Sequence, residues 1–281
     1  MQGNAPELAP GRFLLSGSER RESALKGDAF MEMPMRRAAL AALFAAGTAL
    51  GACAYNETLG RNQFLIVDDS ALVQQADAAW AETLRTQRVS TDAAANARIR
   101  RVGERVVDAA GMGDRRWEYA LFVSETPNAF VLPSGKIGVT TGLLSLVRND
   151  DQLAAVLGHE VGHVVARHAA ERYSQSAAAS VGLGVLQGAA GDYARAAGAI
   201  GGLGAQLGLL LPFSRTHELE ADRLGVDYLQ RAGYRPSEAI ALWRLMAQQR
   251  QGSTPEFAST HPSDASRIAA LEEYIRNRGW A

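Results

Sequence analysis

The stretch Leu157–His168, LGHEVGHVVARH, carries three of the chain's five histidines within ten residues. Inside it, His159-Glu160-Val161-Gly162-His163 has the form H-E-x-x-H. On an α-helix, positions i and i+4 share a face one turn apart, so both imidazoles reach one metal ion. Glu160 is rotated by about 100° from His159 and reaches a water in the ion's open position. Zinc lowers the pKa of such a water towards ~7 and polarises a carbonyl, and the glutamate then acts as general base. Leu153, Val156, Leu157, Val161, Val164 and Val165 recur along the same helix, and Asn149 with Gln152 makes a capping-box pattern at its start.

A catalytic zinc site takes three protein ligands and a water. A third histidine six residues after His163 would supply one locally, but that position is Ala169. His168 lies about 140° around a continuous helix from His163, so it is read as a supporting residue. The third ligand must come from elsewhere, and the best candidate segment is SRTHELEADRLG, Ser214–Gly225. Glu218 and Asp222 share a helix face there. One of them can bind the metal while the other hydrogen-bonds a ligating histidine and fixes its tautomer. The same acids also suit a solvated face paired with Arg215 and Arg223.

With 281 residues, 47% hydrophobic, the chain can bury one sizeable core. A net charge of −1 without a basic run gives no footprint for nucleic acid. Abundant Ala and Gly with few aromatics favour packed helices over a large sheet. Helices are expected over Asp68–Gln87, with a capping signal at Asp69/Ser70, and from about Thr91 to a close at Gly111 and Gly113. Three more are expected around 214–232, 236–250 and 263–278. WEYALFVS (Trp117–Ser124) and NAFVLPSGKIGVTTG (Asn128–Gly142) form the one sheet region, the latter a hairpin about Pro133-Ser134-Gly135. Ala196–Phe213 is uncharged for eighteen residues, but five glycines and Gln206 favour a packed helical pair near the active site over a membrane span.

The N-terminal region reads differently. In MRRAALAALFAAGTALGACAYN, Met35–Asn56, two arginines precede an apolar run and then small residues, the pattern of a secretory signal. LGAC resembles a bacterial lipobox, with Cys53, the sole cysteine, as the lipidated first residue of the mature chain. The expected organisation is an extension preceding the true start (1–34), a lipoprotein signal peptide (35–52), a polar linker (53–67) and a metalloprotease domain (68–281). The expected location is the bacterial periplasm. Ala54, not an aspartate, follows Cys53 and leans the anchor towards the outer membrane.

Four segments in order, NAFVLPSGKIGVTTGLL, LAAVLGHEVGHVVARH, SRTHELEADRLG and STHPSDASRI, resemble one gluzincin family. This is peptidase family M forty-eight, the HtpX, BepA and LoiP group, related to the Oma and CAAX prenyl proteases. The resemblance covers roughly residues 70–278. It implies an α+β fold: a mainly helical, minimal thermolysin-like core with a small antiparallel sheet edging the cleft. It implies one Zn2+ per chain on His159, His163 and Glu218, with Asp222 in support and Glu160 as the base. The strand at Asn128, Ala129, Phe130 and Val131 would pair with an extended substrate. His261 would be an extra ligand that closes the water position, and Arg267 would help stabilise the oxyanion. His217 is expected to be exposed or just behind the ligands. The partners implied are unfolded or misassembled envelope proteins, and the membrane through a lipid at Cys53. Without the tetratricopeptide module of BepA or the transmembrane helices of HtpX, the layout is nearest LoiP. A different class also fits the motifs, a chaperone-like lipoprotein with a latent or structural zinc site, although an intact Glu160 favours the enzyme.

Overall fold

The computed structural model describes residues 53–186, 213–249, 261 and 265–280. The expected extension and signal peptide, nearly all of the uncharged run from Ala196, and the loop on either side of His261 lie outside the described residues. Two strands come first, β1 (Cys53–Asn56) and β2 (Arg61–Phe64), paired as an antiparallel hairpin. The sequence predicts a linker there. The hairpin forms because its polar side chains find partners on the helices, as described below.

Helix α1 (Asp69–Thr86) begins at Asp68, whose carboxylate accepts from the Ser70 amide, one residue before the cap read from sequence. Helix α2 (Ala93–Ala109) is capped by Asp92 and closed by Gly111 in the left-handed region, φ 72°. Strands β3 (Glu118–Phe122), β4 (Ala129–Leu132) and β5 (Lys136–Thr140) follow. β4 and β5 form the expected hairpin, with Gly135 at φ 81° in its turn. β3, however, pairs parallel to β5, so the order is β3-β5-β4 and the sheet is mixed where an antiparallel one was expected. This order leaves β4 at an edge.

The sheet alternates as strands must. Ala120, Phe122, Phe130 and Leu132 face α1, where the Trp80 ring meets Phe122 and Phe130 edge-on. Leu121, Ala129, Ile137 and Val139 face the main core. A short helix α3 (Thr141–Leu146) leads to α4 (Asp150–Val165), α5 (His168–Leu186), α6 (Arg215–Arg231), α7 (Ser237–Gln249) and α8 (Ala265–Asn277). Asn149 caps α4 by accepting from the Gln152 amide, while the Gln152 side chain accepts from Arg148. Among the described residues no helix is long and apolar enough to cross a membrane.

α4 packs most extensively on α6, and glycines let the two backbones meet. A Cβ placed on Gly225 would lie 2.9 Å from the His159 nitrogen, and one on Gly162 would lie 3.0 Å from the Ala221 oxygen. This approach brings the two motif helices together.

Candidate metal centre

Every residue of α4 from Gln152 to His163 is buried, so the H-E-x-x-H face looks into protein. The Nε2 atoms of His159 and His163 stand 3.1 Å apart. From α6, Glu218 reaches both, with Oε1 3.4 Å from His163 and Oε2 3.5 Å from His159. His261 completes the group, its Nδ1 3.0 Å from Glu218 Oε1 and 3.2 Å from His159 Nε2. One ligand atom from each of the four residues lies within 4.8 Å of all the others.

The far sides of the two rings determine which nitrogens are free. His159 Nδ1–H donates to Asp222 Oδ1 at 3.0 Å, and Asp222 accepts two hydrogen bonds from Arg267, at 2.5 and 2.8 Å. His163 Nδ1 lies 2.9 Å from His168 Nδ1, and His168 Nε2 lies 2.9 Å from Glu220 Oε2. With protons on the Nδ1 atoms committed to the groups behind, the Nε2 atoms are the ones left to hold a cation, beside a carboxylate. Two Zn–N bonds of about 2.05 Å at a tetrahedral angle put the nitrogens ~3.3 Å apart, near the observed spacing, and an N, N, O donor set suits zinc.

Electrostatics are strongly shifted here. Burial disfavours charge on His159, but Asp222 and Glu218 outweigh it and push the ring up to about 9. Burial holds His163 well below the usual histidine value. Glu218, although buried, is kept far down the carboxylate range by the three histidines. Burial raises Glu160, whose Oε1 lies 3.2 Å from His261 Nε2.

Three more residues singled out in the sequence are placed by the structure. His168 was placed by assuming one continuous helix. Instead α4 ends at Ala166, Arg167 takes φ 57°, and His168 opens α5 facing the back of His163. Of the two placements expected for His217, exposed or just behind the ligands, it takes the buried one, with Nε2 3.2 Å from Glu171 and its ring stacked on His168. Arg267 is buried over the Trp243 ring with its guanidinium spent on Asp222 and Glu218, and it does not line the cleft. The guanidinium lies beside His159 and against Glu218, where it can orient both.

A cleft of about 750 Å³ opens onto this cluster, bordered by Glu160, His163, His261 and the strand residues Asn128 to Leu132. Among the described residues β4 is an edge strand, and its residues line this cleft. Sequence reasoning missed Phe213, stacked on the His163 ring at 3.9 Å, and Arg172, whose guanidinium lies 3.9 Å over Phe213. No local pattern marks either. Glu220 was also missed, although its place in E-x-E-A-D carried a signal.

A helix-borne H-E-x-x-H joined by a glutamate from a second helix is the donor arrangement of a zinc metallopeptidase site. The sequence matches the model of peptidase family M48 over residues 93–275. The chain belongs to that family. It is 41% identical to the mitochondrial metalloendopeptidase OMA1 of Schizosaccharomyces pombe over 179 residues, 63% of this chain and 52% of the relative. It is 32% identical to the beta-barrel assembly-enhancing protease of Escherichia coli, over 61% of this chain and 37% of the relative. Human OMA1 is 28% identical over 77% of this chain and 43% of its own. The chain thus spans about half or less of the length of these relatives.

Proposed function

We propose that this chain is a zinc-dependent endopeptidase acting on misfolded or unassembled envelope proteins. The carrying observation is the convergence of His159, His163 and Glu218 beside Glu160 at the floor of a cleft with an open strand edge. One Zn2+ would be held by those three residues, supplying Lewis acidity and an activated water. Asp222 and His168 keep the Nδ1 protons on the ligating rings. Glu160, raised by burial, takes the proton of the attacking water and passes it to the leaving amine. The edge of β4, Ala129 to Leu132 with Asn128 before it, pairs with the peptide backbone and holds it extended. The names of the relatives, metalloendopeptidase and beta-barrel assembly-enhancing protease, support a peptidase in quality control.

His261 gives the site a closed form. Its ring touches Glu218, His159 and Glu160, where a water and a substrate carbonyl must enter. It acts as an autoinhibitory cap that withdraws when substrate binds. The same contacts favour the second reading, a scaffold or chaperone with a latent site. We place the mature protein in the periplasm, lipid-anchored at Cys53, with the outer membrane preferred. Cys53 is exposed at the start of β1, as an attachment point requires.

Cleavage of an unfolded casein by the wild type and by Glu160→Gln, with and without chelator, decides between the readings. The enzyme predicts a loss of about 100-fold or more in the variant with zinc still bound. Equal, chelator-insensitive cleavage by both proteins would end the reading.

A further inference from the structure

The two ligating histidines are supported differently. Behind His159 a carboxylate and an arginine follow at once, Asp222 and Arg267. Behind His163 the next residue is a second histidine, and its carboxylate, Glu220, is held by an arginine from the N-terminal hairpin. Arg61 Nε and Nη2 donate to the two oxygens of Glu220 at 2.6 and 2.8 Å. Nη1 and Nη2 donate to the two oxygens of Glu171 at 2.8 and 2.9 Å, and Nη1 also donates to the Asn62 carbonyl at 3.1 Å. All five guanidinium N–H groups are therefore used, which fixes the fork.

We propose that Arg61 and His168 are positioning residues for the metal ligand His163, so that the hairpin β1–β2 is a working part of the metal centre. This rests on the zinc reading above. Only one proton arrangement satisfies the chain of contacts. His163 must leave Nε2 bare to bind a cation, so its proton sits on Nδ1 and is donated to His168 Nδ1. His168 then carries its own proton on Nε2 and donates it to Glu220, which as a carboxylate only accepts. Arg61 holds both Glu220 oxygens in place with two hydrogen bonds, so that one of them stays within reach of His168 Nε2. Without the arginine, Glu220 can swing away, and the tautomers behind it are no longer fixed.

The hairpin is seated for this task. Gln63, 1% exposed, donates to the Ala166 carbonyl at the end of α4 at 2.7 Å and to Glu171 at 2.8 Å. Asn56 donates to Gln63 and to the same carbonyl. Two side chains of the hairpin thus cap the metal-binding helix, and Arg61 ties α5 to α6. None of these hairpin residues lies in the portion that matches the family, 93–275.

The test is zinc affinity of the full chain by competition with a chromogenic chelator, with cobalt absorption as a second readout of ligand geometry. His168→Gln and Arg61→Met should each weaken binding roughly 10- to 100-fold, as loss of a ligand's outer partner does. The double variant should bind within about 2-fold of the weaker single one, because the two residues act in series. Arg61→Lys, which keeps the charge without the fork, should fall between, and it decides the matter with Glu220→Gln if Arg61→Met does not fold. Arg85→Gln, at an exposed ion pair with Glu82, should bind as the wild type does. Affinities within 2-fold of wild type in folded His168→Gln, or additive losses in the double variant, would overturn the proposal. A wild type that binds no zinc overturns the metal reading as well, whereas a wild type that binds with unchanged variants overturns only this inference.

Discussion

Gly225→Ala tests whether the close approach of α4 and α6 builds the metal centre. The added Cβ would stand 2.9 Å from the His159 nitrogen and 3.1 Å from the Gly158 carbonyl carbon, where ordinary contacts begin at 3.4 Å. Both neighbours are backbone and cannot rotate away, so the helices must part by about 0.5 Å at that point. Asp222 is three residues away, about 4.5 Å along the axis, and Glu218 seven, about 10 Å. The displacement reaches Asp222 almost whole and Glu218 in part, against a ligand tolerance of about 0.2 Å. Overpacking costs about 1–3 kcal/mol, and the better helix propensity of alanine returns about 1 kcal/mol. A net loss of about 0–2 kcal/mol lowers Tm by a few degrees at ~2–4 °C per kcal/mol. Zinc affinity should fall further in proportion, about tenfold or more, because second-sphere geometry is disturbed. Thermal melts with and without zinc, together with chelator competition, measure both, and Gln230→Ala on the exposed face of α6 is the control. A Gly225→Ala protein that melts at or above wild type and binds zinc equally would refute the argument.

Other expectations follow from single contacts. Arg167 sits at φ 57° between α4 and α5, so Arg167→Gly should be tolerated, whereas Arg167→Ile should lose about 1–2 kcal/mol in urea titrations and weaken zinc binding with it. His261→Ala should raise cleavage of an unfolded substrate several-fold, measured as initial rate; a fall to the level of Glu160→Gln would make His261 a required ligand instead. His217 is pushed down from 6.5 to about 4, by burial first and by His168 second. Between those values the unfolded chain binds the extra proton, so this ring's contribution is complete above about 6.5 and is lost as pH falls towards about 4. His217→Gln should therefore flatten the decline of the urea midpoint between pH 6.5 and 4 relative to wild type, and parallel curves would contradict the assignment.

The parts of this protein that were legible in sequence are those governed by helical period or by a turn. The i, i+4 spacing of His159 and His163, the Asn149 cap and the Pro133-Ser134-Gly135 hairpin are local facts, and the structure has each of them. The parallel pairing of β3 with β5 is not local: it depends on which strand slots between the other two, and no spacing in WEYALFVS records it. The hairpin at 53–64 escaped for a related reason. Its strands are four residues each and polar, and their stability comes from Arg61, Asn56 and Gln63 meeting groups more than a hundred residues away.

The helix Arg215–Arg231 shows how far period alone carries and where it stops. Residues i and i+4 share a face, so Glu218 and Asp222 were correctly paired, and they divide as an N, N, O site requires: one carboxylate at the bare Nε2 atoms, the other behind His159. Glu220 lies about 200° from Glu218, on the opposite side of the helix. Here it is only partly exposed, because the back of the helix is covered too, by His168 and by Arg61. The broken helix at Arg167 turns His168 inward to a Glu220 oxygen, and Arg61, from a hairpin where a linker was expected, meets both oxygens. The three acids of E-x-E-A-D thus meet the histidine cluster from different sides, Glu218 at the Nε2 atoms, Asp222 behind His159 and Glu220 behind His168, and only the two on the near face follow from the spacing.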